Sequence, residues 1–197
     1  RNTILAYLKE HISNFSAVIL SDYQKGVLNS GEFVAEIIRI CNENNVLVSV
    51  DSKSRNIEAF KGADFVKPNN LELSEAVGFP IKDEESLNKA GEDYLVRSGA
   101  KALVVTKGAK GISLFRKNHE RLDFSAEEVQ VYDVTGAGDT VISTITLGLA
   151  SGLDFSDAIM LANLAAGKVI SLVGTSTIKN NELLQDVVRK KVLRKQD

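Results

Sequence analysis

The 197-residue chain carries 24 Lys and Arg against 26 Asp and Glu, for a formal net charge of -2, and 44% of its residues are hydrophobic. That balance removes the electrostatic case for nucleic acid, and no stretch interleaves basic with aromatic side chains. With 14 Gly and 2 Pro, and length enough for one substantial core, the composition excludes low complexity and predicts one soluble domain.

The chain begins at Arg1 with a helix-like run over residues 2–12 and no strand before it, which fits a piece of a longer polypeptide. Apolar, β-branched strands are predicted over residues 17–22, 46–51 and 63–68, with a helix over 30–44 between the first two. A short helix follows Asn70, a longer one covers about 87–98, and a strand begins at Ala102. Two or three more strands are expected in "GISLFRK", "RLDFS" and "EEVQVYDV", after which the chain is helical to its end. Buried-looking strands separated by amphipathic helices predict an α/β fold with a doubly wound, mostly parallel sheet.

The most apolar stretch, "AIMLANLAAGKVISLVG", is broken by Asn163 and Lys168, so no membrane partner is expected. Cys41 shares an apolar helix face with Val34, Ile37 and Ile38 and is expected in the core; as the lone cysteine it forms no intrachain disulfide, and a cytoplasmic setting fits. His11 and His119 lack metal-ligand spacing and read as surface residues. Arg189, Lys190, Lys191, Arg194 and Lys195 read as a solvated helix end.

Ligands of such sheets collect at the carboxyl ends of the strands. Those ends read "SDYQKG", "VDSKSR", "VKPNNLE", "VTKGAKG" and "YDVTGAGD". They place Asp22, Lys25, Asp51, Lys53, Asn69 and Glu72 on one rim, together with Thr106, Gly108, Gly111 and Asp139. In "DVTGAGDT" the backbone N–H groups of Gly136, Ala137 and Gly138 open a helix with almost no side-chain bulk around them, an anion cradle. Asp139 behind them is either a general base for a nucleophile attacking the bound anion or a plain helix cap; the local pattern leaves both open. Asn69 and Glu72 share one side of a helix start, suited to hydrated Mg²⁺ or to a capping box. "TKGAKG" brings backbone close to a nucleotide or makes a plain turn. Lys53 meets a phosphoryl group or solvent, and Asn163 bonds a nucleotide base or a neighbouring loop.

"DVTGAGD" resembles the D-T-x-G-A-G-D signature of the ribokinase-like (PfkB-type) carbohydrate kinases. "KPNNLE" is similar to that family's P-N-x-x-E motif and "TKGAKG" to its T-x-G-x-x-G motif. With "LSDYQKGVL", "LANLAAGKVI" and "LVGTSTI", the likeness is greatest to the branch acting on heptose 7-phosphate, and it runs in family order from Asp22 to about Thr177. The resemblance implies a ribokinase-like three-layer fold. It implies an ATP-dependent kinase that phosphorylates the anomeric hydroxyl of D-glycero-β-D-manno-heptose 7-phosphate, on the route to ADP-heptose and lipopolysaccharide core. Another PfkB-type sugar or nucleoside kinase, or a nucleotide-binding fragment without catalysis, is the alternative.

The same resemblance makes Asp139 the base, with the Gly136, Ala137 and Gly138 amides as anion hole. Asn69 and Glu72 would organise Mg²⁺ through its waters, and Thr106, Gly108, Gly111 and Asn163 would lie along ATP. Asp51 and Lys53 would face the sugar phosphate, and the carbonyls around Asp133 and Thr135 would offer a K⁺ site. The heptose branch has V-D-P-K where this chain has "VDSK", so Ser52 stands in place of proline. The family's sugar-binding half and β lid, and the H-x-G-H adenylyltransferase motif, are not found. Residues 1–197 therefore read as one kinase-domain fragment, the C-terminal nucleotide-binding portion, whose full-length protein is expected to be a homodimer and which alone is expected to be inactive.

Overall fold

A computed structural model describes residues 1–54, 56–172, 174 and 176–193. Its elements run α1 (Asn2–His11), β1 (Ala17–Asp22), α2 (Gly31–Glu43), β2 (Leu47–Ser52), β3 (Phe65–Val66), α3 (Asn70–Val77), α4 (Glu84–Ser98), β4 (Ala102–Thr106), β5 (Ile112–Arg116) and β6 (Leu122–Phe124). Three helices follow, α5 (Ala137–Ala150), α6 (Phe155–Ile170) and α7 (Asn180–Leu193). Val173 and Thr175 of "LVGTSTI" and Arg194 and Lys195 of the basic tail lie outside the described residues.

The six strands form one sheet in the order β1-β2-β3-β4-β5-β6. β1 to β4 pair in parallel, and β5 returns antiparallel to β4. The chain divides into two compact units, Arg1–Gly108 with Ile112–Asp123, and Ala109–Gly111 with Phe124–Asp197.

In the first unit the central strands are largely apolar and buried on both faces. Val48, Val50, Phe65 and Val66 are buried, as are Leu103, Val104 and Val105. The α2 stripe Val34, Ile37, Ile38 and Cys41 joins this core, and burial together with the Asp64 charge pushes the Cys41 thiol up to about 11. Gly91 lets α4 approach β5, since a Cβ there would meet the Phe115 ring at 2.4 Å. β3 is two residues long rather than the expected six. Lys67 N–H still donates to Val50 O at 2.9 Å, but Pro68 has no N–H with which to continue the ladder. His119 is exposed, whereas His11 is half-buried, its ring edge-on to Tyr7 at 4.3 Å.

The second unit is centred on a helical hairpin. α5 and α6 pack through Val141, Ile142 and Ile145 on one side and Ala158, Ile159, Ala162 and Ala165 on the other, all buried. The expected strand over 127–134 does not form. Its alternation is not matched by a buried face: Val129, Val131, Tyr132 and Val134 are all at least 37% exposed. The segment is held instead by Tyr132 and Asp133, whose N–H groups donate to Ile170 O, and by Gly167, where a Cβ would lie 2.8 Å from that of Glu127.

Among the described residues, no helix is long and apolar enough to cross a membrane.

Candidate functional site

At the start of α5 the sequence produces an uncapped helix terminus. α2, α3, α4 and α6 each begin under a side chain, of Ser30, Asn69, Asp83 and Asp154, that accepts from the third helical N–H. α5 begins at Gly136, in the left-handed region at φ 82, with no side-chain cap. A glycine adopts that conformation without Cβ strain and has nothing with which to cover the first-turn amides. Upstream, Asp133 Oδ1 accepts from Thr135 N–H at 2.9 Å, and those Thr135 contacts hold the Asp133 carboxyl below the usual carboxylate range. Downstream, Thr140 N–H and its hydroxyl both donate to Gly136 O at 2.9 Å. The turn is thus fixed from both sides, Gly136, Ala137 and Gly138 are partly exposed, and Asp139 is an exposed carboxylate in the first turn. Ala137 N–H donates to Val134 O at 3.2 Å. The positive end of a helix without a side-chain cap, beside a carboxylate, can hold a phosphoryl oxygen and accept a proton.

In the same unit Asn163, 8% exposed, donates from Nδ2 to Ser125 O at 3.0 Å. That neighbouring loop is one of the two partners the sequence allowed it. Gly111 has its φ at +83, and a Cβ there would lie 1.9 Å from Phe124 O and 2.6 Å from Ala126 N. Asn163 and Gly111 therefore fix the course of residues 124–126.

In the first unit the sheet brings separated motifs together. Asn69 and Thr106 form a parallel bridge, and Thr106 N–H donates to Pro68 O at 3.0 Å. Asn69 and Glu72 form the capping box: Asn69 N–H donates to Glu72 Oε2 at 2.8 Å, and Glu72 N–H to Asn69 Oδ1 at 2.9 Å. The box leaves the Asn69 amide nitrogen and Glu72 Oε1 outside it. Beside it lies an atom the sequence reading passed over: Asn70 Oδ1 is buried without a hydrogen-bond partner. A buried acceptor of this kind is costly unless a bound group or water completes it. Carboxylate and amide oxygens at a helix start are hard donors that fit hydrated Mg²⁺. Among the described residues, no three His, Cys, Asp or Glu side chains gather into a metal-binding group.

At the ends of β1 and β2, Asp22 is 9% exposed and accepts from Gln24 N–H, while Asp51 is opposite Ser21 in register. Lys25 and Lys53 are exposed, and Lys53 O accepts from Gln24 Nε2 at 3.5 Å. Lys67, which sequence reasoning treated only as the residue before a proline, is 4% exposed and ion-paired to Asp51 at 3.1 Å. Gly108, at φ +59, faces open space.

The family model described as pfkB family carbohydrate kinase matches residues 4–182. "Bifunctional protein HldE" of Geobacter metallireducens is 40% identical over 181 residues, covering 92% of this chain and 37% of that protein. The protein of the same name from Syntrophotalea carbinolica is 41% identical over 182 residues, covering 90% and 37%. The chain thus spans little more than a third of these relatives. Among solved structures, Arabidopsis thaliana ribokinase complexed with ribose and ATP aligns with TM-score 0.79 at 23% identity, over 90% of this chain and 57% of that one. Escherichia coli phosphofructokinase-2 in complex with potassium aligns with TM-score 0.77 at 21% identity, over 92% and 60%. These likenesses show the fold, the ribokinase-like three-layer α/β class.

Proposed function

The chain belongs to the pfkB family of carbohydrate kinases, and from that premise we propose that it serves transfer of the γ-phosphoryl group of ATP to the anomeric hydroxyl of a heptose 7-phosphate, giving the 1,7-bisphosphate. The observation that carries the reading is the start of α5, whose glycine N-cap places no side chain over the first-turn amides in front of Asp139. In this reading Asp139 takes the proton of the attacking sugar hydroxyl, and the Gly136, Ala137 and Gly138 amides hold the charge that develops on the transferring group. Asn69 and Glu72 organise the waters of Mg²⁺, with the orphaned Asn70 oxygen beside them. Mg²⁺, when bound, neutralises phosphate charge. Thr106 and Gly108 lie along the nucleotide, and Asn163 and Gly111 act on it through the 124–126 segment that they fix. Asp51 and Lys53 face the acceptor, and carbonyls around Asp133 and Thr135 hold K⁺. The heptose acceptor is favoured by the motif likeness and by relatives about 40% identical named HldE. The assembly proposed for the complete protein is a homodimer, which sedimentation would test.

The experiment is to incubate the complete protein with Mg²⁺, ATP and D-glycero-β-D-manno-heptose 7-phosphate, with ribose and fructose 6-phosphate in parallel, and to follow the new phosphate ester by ³¹P NMR. An anomeric phosphate formed from heptose alone supports the proposal. Preference for another sugar reassigns the acceptor within the family, and nucleotide binding without turnover of any sugar points to a binding module.

A further inference from the structure

Among the described ion pairs, two bury a lysine side chain by more than nine-tenths: Lys107, 7% exposed, with Asp123, and Lys67, 5% exposed, with Asp51. The surroundings of Lys107 explain it. Asp123 also accepts from Ser113 and pairs with Arg121, which reaches Glu84 and Asn88, so Lys107 is one strut of a network tying the β4 to β6 region to α4. Lys67 stands where an apolar side chain would serve packing. Phe65 and Val66 before it and Pro68 after it are buried, and its backbone N–H already completes the sheet at Val50 O. A buried ion pair seldom stabilises a fold more than apolar side chains of the same volume, because both charges lose their hydration.

What the pair does supply is a fixed carboxylate. Asp51 lies at the end of β2, its side chain 17% exposed, with the almost wholly buried Lys67 ammonium 3.1 Å from Oδ2. Asp22 closes the neighbouring strand, and two residues beyond Lys67 the chain reaches the Asn69 to Thr106 bridge. This is the carboxyl-end rim where ligands of a mostly parallel sheet gather. A close ion pair removes rotamer freedom from a rim acceptor, and a ligand that meets a pre-oriented acceptor loses less on binding.

We infer that Lys67 is a positioning residue for the sugar acceptor: its buried ammonium pins the Asp51 carboxylate at the ends of β2 and β3, where that carboxylate accepts hydrogen bonds from acceptor hydroxyls. The inference rests on the kinase reading above and adds to it a residue that acts through Asp51. Nucleotide binding does not depend on the pair.

The test uses the complete protein and separates stability from recognition. Lys67→Met takes the ammonium away from a partly buried carboxylate and destabilises the fold whatever its role. The neutral pair, Lys67→Met with Asp51→Asn, removes both charges together, and Lys67→Arg keeps the charge. Melting temperature, and KM for heptose 7-phosphate and for ATP, are measured for each of these and for Asp51→Asn alone. We expect acceptor KM to rise about tenfold in Asp51→Asn and by no further factor in the double variant, a non-additivity expected of residues acting as one unit. Lys67→Met is expected to raise it similarly, Lys67→Arg to raise it less, and ATP KM to stay within about twofold throughout. If Lys67→Met does not fold, the double variant and Lys67→Arg decide in the same way. Acceptor KM unchanged in the double variant, or equal changes in both KM values, overturns the inference while leaving the kinase reading intact. A wild-type protein that neither binds nor phosphorylates any sugar phosphate overturns both.

Discussion

At the scale of single residues, Asp139 stands exposed in the first turn of α5, beside amides that no side chain caps. Asp139→Asn keeps the side-chain volume and removes the base, so in the complete protein kcat should fall at least about a hundredfold while ATP affinity changes little. Near-normal turnover in that variant excludes Asp139 as the base. Glu72 closes the capping box through its Oε2, and the proposal gives it a second role at Mg²⁺. Glutamine closes such a box as well as glutamate, so Glu72→Gln should leave the melting temperature nearly unchanged yet raise half-saturating Mg²⁺ about threefold or more. A titration that superimposes on the wild type would reduce Glu72 to a cap. The place of Asp139 in the first turn of a helix was legible in the sequence because its context is local: glycines, a helix start and a carboxylate within a few residues. Lys67 and Asn70 were not, because a lysine before proline and a second asparagine in a helix start read as solvated. Their burial is set by sheet register and by the docking of α3, neither of which is visible in the residues themselves. The one available signal was the apolar run of Phe65 and Val66 leading directly into Lys67.

At the scale of elements, the strands and helices that bury a clean stripe could be read from their periodicity. β1 has the bounds expected of it, and α2 begins one residue after the Ser30 cap. The 127–134 segment shows the limit of the same reasoning: alternation permits a strand, but pairing needs a neighbouring edge, and here α6 supplies an Ile170 carbonyl instead. The two glycines of "TKGAKG" likewise look equivalent in sequence and differ in the fold. Gly111 lies against the backbone of 124–126, while Gly108 faces open space. Gly108→Ala should therefore cost about 1 kcal/mol, the strain of a left-handed alanine. Gly111→Ala adds a backbone clash to that strain and should cost about 2 kcal/mol or more. Urea midpoints of the two variants in the complete protein measure the difference; equal midpoints would mean that residues 124–126 yield freely.

For the whole molecule, the relevant ratio is that of this chain to its relatives. The matches take in about nine-tenths of this chain but 37% of the HldE proteins, and 57–60% of the ribokinase and phosphofructokinase-2 chains whose fold it shares. The roles proposed above for phosphate, magnesium and nucleotide draw on several elements, whereas the acceptor is assigned only Asp51, Lys53 and, indirectly, Lys67. We therefore expect residues 1–197 by themselves to bind ATP with Mg²⁺ weakly and to phosphorylate no sugar. The physical reason is that a general base acts only on a hydroxyl held in line with the phosphoryl group. Proximity and orientation account for roughly 7–11 kcal/mol of such a barrier, and a site open to water forfeits further electrostatic stabilisation. Losing acceptor positioning is then enough to silence transfer with Asp139 and its amides in place. Calorimetric titration of the 197-residue chain with ATP and Mg²⁺, run beside the ³¹P assay on the same sample and on the complete protein, separates the cases. Binding without turnover in the short chain, and turnover in the complete protein, is the expected pair of results. Robust turnover by the short chain would show that it positions the acceptor unaided, and an absence of nucleotide binding at millimolar ATP would show that the bare start of α5 is not a preformed phosphate site.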